Sequence, residues 1–322
     1  MAMSSNAAPP HVVEDCLGVL QLLSDGTVLR SHFPVLPTES FPDVTGVQWK
    51  DVVYDSERNL KLRMYRRPDT DTAEKLPVLV YFHGGGFCLG SFAQPNIHAC
   101  CLRLAAELPA VVLSADYRLA PEHRLPAAID DGAAVLSWLR TAGGGVDPWL
   151  TESIDFSRVF VSGESAGANI AHHLAVRFGS DVRVAGCVLL TPFFGGAERT
   201  ASESRPPPGV FLTIEMADQF WRMSLPEGAD RDHPLANPVC SGGSSLEVAA
   251  LPPVLVVAAG RDLLRDRVLG YAERLKVMGK VVEVADFVGE EHGFFVLQPW
   301  GEAAAELIRV MRRFIHNGAS SS

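Results

Sequence analysis

A serine between two glycines, where an apolar run meets an alanine-rich stretch, is the residue of this chain best placed to act as a nucleophile. The segment reads Val161-Ser162-Gly163-Glu164-Ser165-Ala166-Gly167. Val159, Phe160 and Val161 read as a buried strand and Ala168 through Val176 as a helix, so Ser165 falls on the turn between them. A hydroxyl there stands clear of the sheet, beside free helix N–H groups. A surface turn also uses Gly and Ser, and the pentapeptide therefore takes its meaning from what accompanies it. After the run from Pro77 to Phe82 come His83, Gly84, Gly85, Gly86 and Phe87. Three successive glycines give up backbone entropy for no packing gain, and such a loop brings bare N–H donors up to a ligand. In acyl transfer these donors hold the oxyanion of a tetrahedral intermediate, each worth roughly 10²–10³ in turnover. Two amides from Gly84, Gly85 and Gly86 are expected to join that of Ala166 in this role.

A serine hydroxyl needs a base, and the chain has ten histidines. In a strand-to-helix elbow of this kind the acid and then the base follow the serine, each on a loop after a later strand. The apolar run from Pro253 to Gly260 is followed by Asp262, and that from Val281 to Val288 by Glu290-Glu291-His292-Gly293-Phe294-Phe295. Asp262 is thus expected to orient His292, which takes the Ser165 proton and later hands it to a leaving alcohol. Asp262 could instead cap the helix that begins near Leu263, and Asp266, Glu290 and Glu291 are rival acids. His83 reads as a brace for the glycine loop. His172 and His173, two turns behind the serine, read as packing or solvent-facing residues.

These groups need a scaffold that brings them together. A chain of 322 residues accommodates one large α/β domain with additions or two ordinary domains, and the patterning favours one. Residues 48–54 and 60–65 alternate as antiparallel strands, and buried runs follow at 78–82, 110–114, 158–162, 184–190, 253–259 and 281–288. Helical stretches separate them, such as Pro126 through Leu139. This alternation predicts a mostly parallel central sheet flanked by helices on both faces, with ligands bound beyond the C-terminal strand edges. Residues 1–45 and 193–247 break the pattern. They divide the core into 46–192 and 248–318, with 319–322 as a disordered tail. The first holds a hairpin signal at Ser24-Asp25-Gly26-Thr27, and the second holds Phe211, Phe220, Trp221 and Met223 in an amphipathic stretch. Both are expected to fold over the strand edges as a helical cap, leaving an apolar pocket lined in part by Phe87, Phe194, Trp221 and Phe294. Burial of any one of these aromatics against the main core is the alternative.

A net charge of −10 without a basic cluster argues against nucleic acid and anionic membranes as partners. Apolar runs are short and broken, so no bilayer span is expected. Met1 through Asn6 carry neither a basic region nor an apolar core, and no secretory signal is read there. Six scattered cysteines without C-x-x-C read as reduced thiols of a cytoplasmic protein, with the nucleus also open to it. No metal-ligand spacing is present, so neither metal nor cofactor is expected. Monomer and homodimer both remain open.

Four blocks carry a resemblance: His83-Gly84-Gly85-Gly86, Asp116-Tyr117-Arg118-Leu119-Ala120-Pro121-Glu122-His123, Gly163-Glu164-Ser165-Ala166-Gly167 and Glu291-His292-Gly293-Phe294. From about residue 12 onward the chain resembles the hormone-sensitive-lipase branch of the α/β-hydrolases, and the plant carboxylesterases in particular. The resemblance implies an α/β-hydrolase fold and ester hydrolysis by Ser165, His292 and Asp262 without a cofactor. More narrowly, Glu14 through Leu23, Phe193 through Thr200 and Arg231 through Pro238 are similar to strigolactone-hydrolysing members. That similarity implies a small hydrophobic ester or lactone as substrate. Leu263 departs from the family's usual proline, and Glu164 stands where Asp is commoner. Two other functions fit the same resemblance: a hormone receptor of the gibberellin-receptor type, a class that shares this fold but has lost the catalytic histidine, and an amidase or peptidase.

Overall fold

Val78, Val80 and Phe82 enter one apolar core while Leu79 and Tyr81, between them in sequence, enter a second. A strand whose alternate side chains are all buried must lie inside a sheet covered on both faces. The structure, a computed structural model, describes residues 9–31, 36, 41, 44–68, 75–142, 147–179, 184–240 and 244–317.

The chain begins with β1 (Val12–Cys16), β2 (Leu20–Leu23) and β3 (Val28–Arg30), followed by β4 (Gln48–Asp55), β5 (Leu60–Arg66) and β6 (Leu76–Phe82). Then come α1 (Pro95–Glu107), β7 (Val111–Ala115), α2 (Ala127–Ala142), α3 (Pro148–Ser153), β8 (Ile154–Glu164), α4 (Ala166–Phe178) and β9 (Val184–Leu190). Three helices follow, α5 (Ala201–Ser204), α6 (Ile214–Ser224) and α7 (Ser244–Val248). The chain closes with β10 (Val254–Ala259), α8 (Arg265–Val277), β11 (Val282–Phe287), α9 (Phe294–Leu297) and α10 (Glu302–Asn317).

Eight strands form one sheet in the order β11-β10-β9-β8-β6-β7-β5-β4, and β1, β2 and β3 form a separate antiparallel sheet. Within the large sheet only β4 with β5 and β5 with β7 run antiparallel. Val135 and Leu139 of α2, Ile170 and Leu174 of α4 and Leu275 of α8 cover one face. Ile97 and Leu104 of α1, Phe295 of α9 and Leu307 and Met311 of α10 cover the other. This is the α/β-hydrolase architecture, its mostly parallel sheet walled by helices as the alternating pattern implied.

Ser165, Asp262 and His292 follow β8, β10 and β11 at one rim of the sheet, and the glycine loop follows β6, the neighbour of β8. The hairpin expected around Asp25 is present but larger, because β1 pairs with β2, and the described N-terminal segment is therefore a β-sheet where a helical cap was expected. Val12 and Val13 stay about half exposed, so no alternation betrayed that strand. The expected tail at 319–322 lies outside the described residues. No helix among the described residues is long and apolar enough to cross a membrane, and they contain no group of three His, Cys, Asp or Glu able to hold a metal ion.

Candidate active site

β8 ends at Glu164 and α4 starts at Ala166, so Ser165 alone makes the turn, with φ 51° and ψ −117°. That conformation is unfavourable for a residue with a Cβ and survives only where surroundings enforce it. They do so here: the Ser165 N–H donates to Leu190 O at 3.0 Å, and Phe193 N–H donates to Ser165 O at 2.9 Å. The helix comes so close to β6 that a Cβ on Gly167 would lie 2.0 Å from Phe82 O. The small residues of the pentapeptide are therefore required by crowding at the turn.

The Ser165 hydroxyl lies 2.8 Å from His292 Nε2, and His292 Nδ1 lies 2.7 Å from Asp262 Oδ2. A carboxylate only accepts, so the Nδ1 nitrogen carries the proton and Nε2 is left to accept from the serine. Asp262 is 2 % exposed and His292 7 %. The other oxygen of Asp262, Oδ1, accepts from Leu264 N at 2.9 Å in the turn before α8, whose N-cap is Leu264, so Asp262 steadies that turn and does not cap the helix. Burial by itself would depress the His292 pKa. The charge and hydrogen bond of Asp262, with the charges of Glu164 and Glu291 beyond, outweigh burial and raise it above the ordinary 6.5.

The rival acids are engaged elsewhere. Asp266 Oδ2 accepts from Ser202 N at 2.8 Å, and Glu291 Oε2 accepts from Phe211 N at 2.8 Å. Glu290 is half-buried, and its carbonyl accepts from Arg261 N at 2.8 Å. His83 is buried, with its ring stacked on Tyr117 at 4.4 Å and Nδ1–H donating to Gly84 O at 2.8 Å. His172 and His173 pack inside: His172 Nδ1 is 2.8 Å from Tyr271 Oη, and His173 Nε2 is 3.3 Å from Leu235 O.

The glycine loop needs one correction. The Gly84 N–H donates to Glu164 Oε1 at 3.0 Å, so it is spent inside the protein. No described residue accepts from the Gly85 or Gly86 amide, and Ala166, the first residue of α4, has an N–H without an intrahelical acceptor. These three donors remain for an oxyanion. Gly85, at φ +106°, packs so tightly that a Cβ would sit 2.2 Å from Leu89 O. Burial raises the Glu164 pKa, opposed in part by the Gly84 N–H and the charges of His292 and His83.

A cavity of about 730 Å³, counting its open mouth, adjoins Ser165 and His292. Its far wall is Phe193, Phe211, Leu212, Met216 and Phe220, and its near wall includes Leu36, Gln94, Ile97, Val296 and Leu297. The four aromatics expected there, Phe87, Phe194, Trp221 and Phe294, are absent from the lining and lie in the layer behind it. Phe87 has φ 64° and packs on Phe193 and Trp221, with ring centroids 6.3 and 5.7 Å apart. Trp221 stacks on Phe193 at 4.1 Å, Phe194 packs on Tyr271 at 4.7 Å, and Phe294 packs on Phe287 at 4.9 Å. The expectation is right about aromatic content and wrong about direction, often by one residue. Helical spacing held a usable signal on α6, where Met216 and Phe220 are four apart and share a face while Trp221 turns from it.

The far wall is tied to the N-terminal sheet. Arg222 and Gln219 of α6 bond the Glu14 carboxylate of β1 at 2.6 and 3.0 Å. Arg30 of β3 reaches Glu122, and its donors also meet the carbonyls of Cys88 at 2.7 Å and Ala120 at 2.8 Å.

A parallel sheet with a serine elbow, an imidazole and a carboxylate in one hydrogen-bonded chain defines a class, and the chain belongs to the alpha/beta hydrolase fold family, which it matches over residues 79–296. Residues 31–121 also match the carboxylesterase family. The chain is 41% identical to gibberellin receptor GID1C of Arabidopsis thaliana, over 85% of this chain and 83% of that protein. It is 35% identical to probable carboxylesterase 8 of the same plant, over 94% and 93%. A solved esterase from Pyrobaculum calidifontis superposes with a TM-score of 0.73 at 32% identity, over 85% of this chain and 86% of its own. The protein is a carboxylic ester hydrolase of the plant carboxylesterase type, within the hormone-sensitive-lipase branch.

Proposed function

We propose that the protein hydrolyses small hydrophobic esters or lactones through an acyl-enzyme on Ser165, with strigolactone hormones among its substrates. The observation that carries this reading is the chain of short bonds from Ser165 through His292 to Asp262, 2.8 and 2.7 Å long. His292 Nε2 takes the serine proton as Oγ attacks the carbonyl, and the amides of Gly85, Gly86 and Ala166 hold the oxyanion. His292 then protonates the leaving alcohol, and water, activated by the same imidazole, clears the acyl group. Asp262 stabilises the imidazolium at each transfer. For a lactone the leaving alcohol stays tethered to the acyl group until deacylation.

The apolar walls around Ser165 support an uncharged substrate, and the three similar segments at residues 14–23, 193–200 and 231–238 support the butenolide ester of a strigolactone. Mass spectrometry of the enzyme incubated with a strigolactone tests this, with hydrolysed fragments and an acyl adduct on Ser165 as the expected result. Finding neither, while simple esters are cleaved, removes the hormone and leaves the esterase. Identity to a gibberellin receptor favours a second reading, ligand capture without turnover. His292 bonded to Ser165 argues against it. Sustained turnover of p-nitrophenyl acetate after an initial burst separates the two.

A further inference from the structure

Four residues around the cavity have polar side-chain atoms: Gln94, Glu164, Ser165 and His292. The last three are bonded within the site already described. Gln94 is different. Its main chain is engaged, with N–H donating to Ser91 O at 3.0 Å and C=O accepting from His98 N at 2.8 Å. It is the N-cap of α1, yet its side chain does not cap the helix. Among the described residues the half-buried carboxamide neither gives nor receives a hydrogen bond. Ile97 beside it on α1 is apolar, as are Leu36, Val296 and Leu297 of the same wall and the phenylalanines opposite.

A substrate that fills this cavity strips water from the carboxamide. One that offers only methylene groups leaves a donor and an acceptor unpaired, at a cost that an oxygen in the right place removes. We infer that Gln94 is a specificity-determining residue that selects esters or lactones carrying a second oxygen, remote from the reacting carbonyl, over hydrocarbon esters of equal length. Its carboxamide N–H₂ meets an ether or carbonyl oxygen, and its carbonyl meets a hydroxyl. The inference rests on the reading of Ser165 as the esterase nucleophile and deepens it.

The test uses esters in pairs, each hydrocarbon chain matched by one in which a single methylene is replaced by oxygen at successive positions on the acyl or the alcohol side. The ratio of kcat/KM within each pair is compared between wild type and Gln94→Leu, which cancels differences in intrinsic reactivity. At the matching position the wild type is expected to favour the oxygen-containing ester about five- to tenfold more than the variant does, the scale of one neutral hydrogen bond. Hydrocarbon esters should gain in kcat/KM with Gln94→Leu, because the variant buries no unpaired carboxamide. Ratios unchanged by Gln94→Leu at every position overturn the inference and leave the esterase reading intact. So does an equal loss on all substrates in both Gln94→Leu and the length-matched Gln94→Met, since Gln94 would then serve only the start of α1. Calorimetric binding of the corresponding methyl ketones, paired in the same way, reads the contact without turnover. If the wild type cleaved no ester at all, the Ser165 reading would fall while the ketones still decided Gln94.

Discussion

The two sides of the Ser165 cavity are held by different kinds of bond. On the strand-end side the reactive groups hang from main-chain hydrogen bonds between neighbouring strands and their loops: Ser165 N to Leu190 O, Gly260 N to Phe287 O, and Arg261 N to Glu290 O. On the opposite side, α6 and the turn before it are held mainly by side chains, through the buried Phe220, Trp221 and Met223, Glu14 to Gln219 and Arg222, Glu291 to Phe211 N, and Arg124 to the carbonyls of Arg222 and Leu225, with one main-chain bond from Leu125 N to Ser224 O. A backbone ladder cannot shift without breaking the sheet, whereas exposed ion pairs rearrange at a cost of about a kcal/mol or less. Chemistry thus sits on the rigid side, and the aromatic wall of α6 on the more adaptable one.

Substitutions on the rigid side should therefore cost orders of magnitude in rate. Ser165→Ala or His292→Ala should lower kcat by about 10⁶ with p-nitrophenyl esters, and a residual rate above a hundredth of wild type would mean that another nucleophile acts. Asp262→Asn should cost about 10⁴. The pH dependence is part of the same test. Catalysis needs neutral His292, whose pKa is raised above 6.5, so kcat/KM should fall as pH drops through a midpoint above that value. Loss of the Asp262 charge should move this midpoint downward. Asp266→Asn should keep its kcat, because Asp266 holds Ser202 rather than the imidazole.

The boundary between the two sides gives an intermediate effect. Glu164→Leu removes the acceptor for Gly84 N–H and should cost about 10²-fold in kcat through a displaced oxyanion loop. Glu164→Gln keeps an acceptor oxygen and should stay near wild type, so an equal loss in both variants would mean that the carboxyl charge matters and the brace does not. On the adaptable side, Glu14→Ala should raise KM about two- to threefold with kcat unchanged and lower stability by about 0.2–1 kcal/mol in urea unfolding. A large fall in kcat would show that α6 is coupled to the chemistry after all.

The remaining effect, on stability and not on rate, concerns the core behind the elbow. Burial holds the His173 pKa down at about 4, so the folded state stays neutral where the unfolded chain takes up a proton. Stability should fall as pH drops from 6.5 to about 4, by about 1.4 kcal/mol per pH unit for this residue. His173→Gln should flatten that slope in denaturant titrations at several pH values.

The serine, base and acid were legible in the sequence because each follows a buried apolar run. Runs of that kind mark parallel strands whose ends share one rim. Asp262, directly after the run, was favoured over Asp266, although both are carboxylates within one helical turn. Only the geometry shows Asp262 using one oxygen for the imidazole and the other for Leu264 N. Gly84 was undecided among three alike residues until Glu164, eighty positions away, took its amide.

The aromatic wall was the least legible part. Composition marked residues 193–247 as rich in large apolar side chains, yet Phe193 and Phe194, or Phe220 and Trp221, are interchangeable to any pattern that counts aromatics. Their directions depend on contacts with Phe87, Tyr271 and Gly86, set by how distant segments meet. By itself the sequence determined the class of fold, the succession of strands and helices in the core and the identity of the reactive groups, because periodicity and glycine placement act on the local chain. Which amides face the reaction and which rings meet the substrate were decided by tertiary structure alone, because hydrogen bonds and ring packing depend on atoms far apart along the chain.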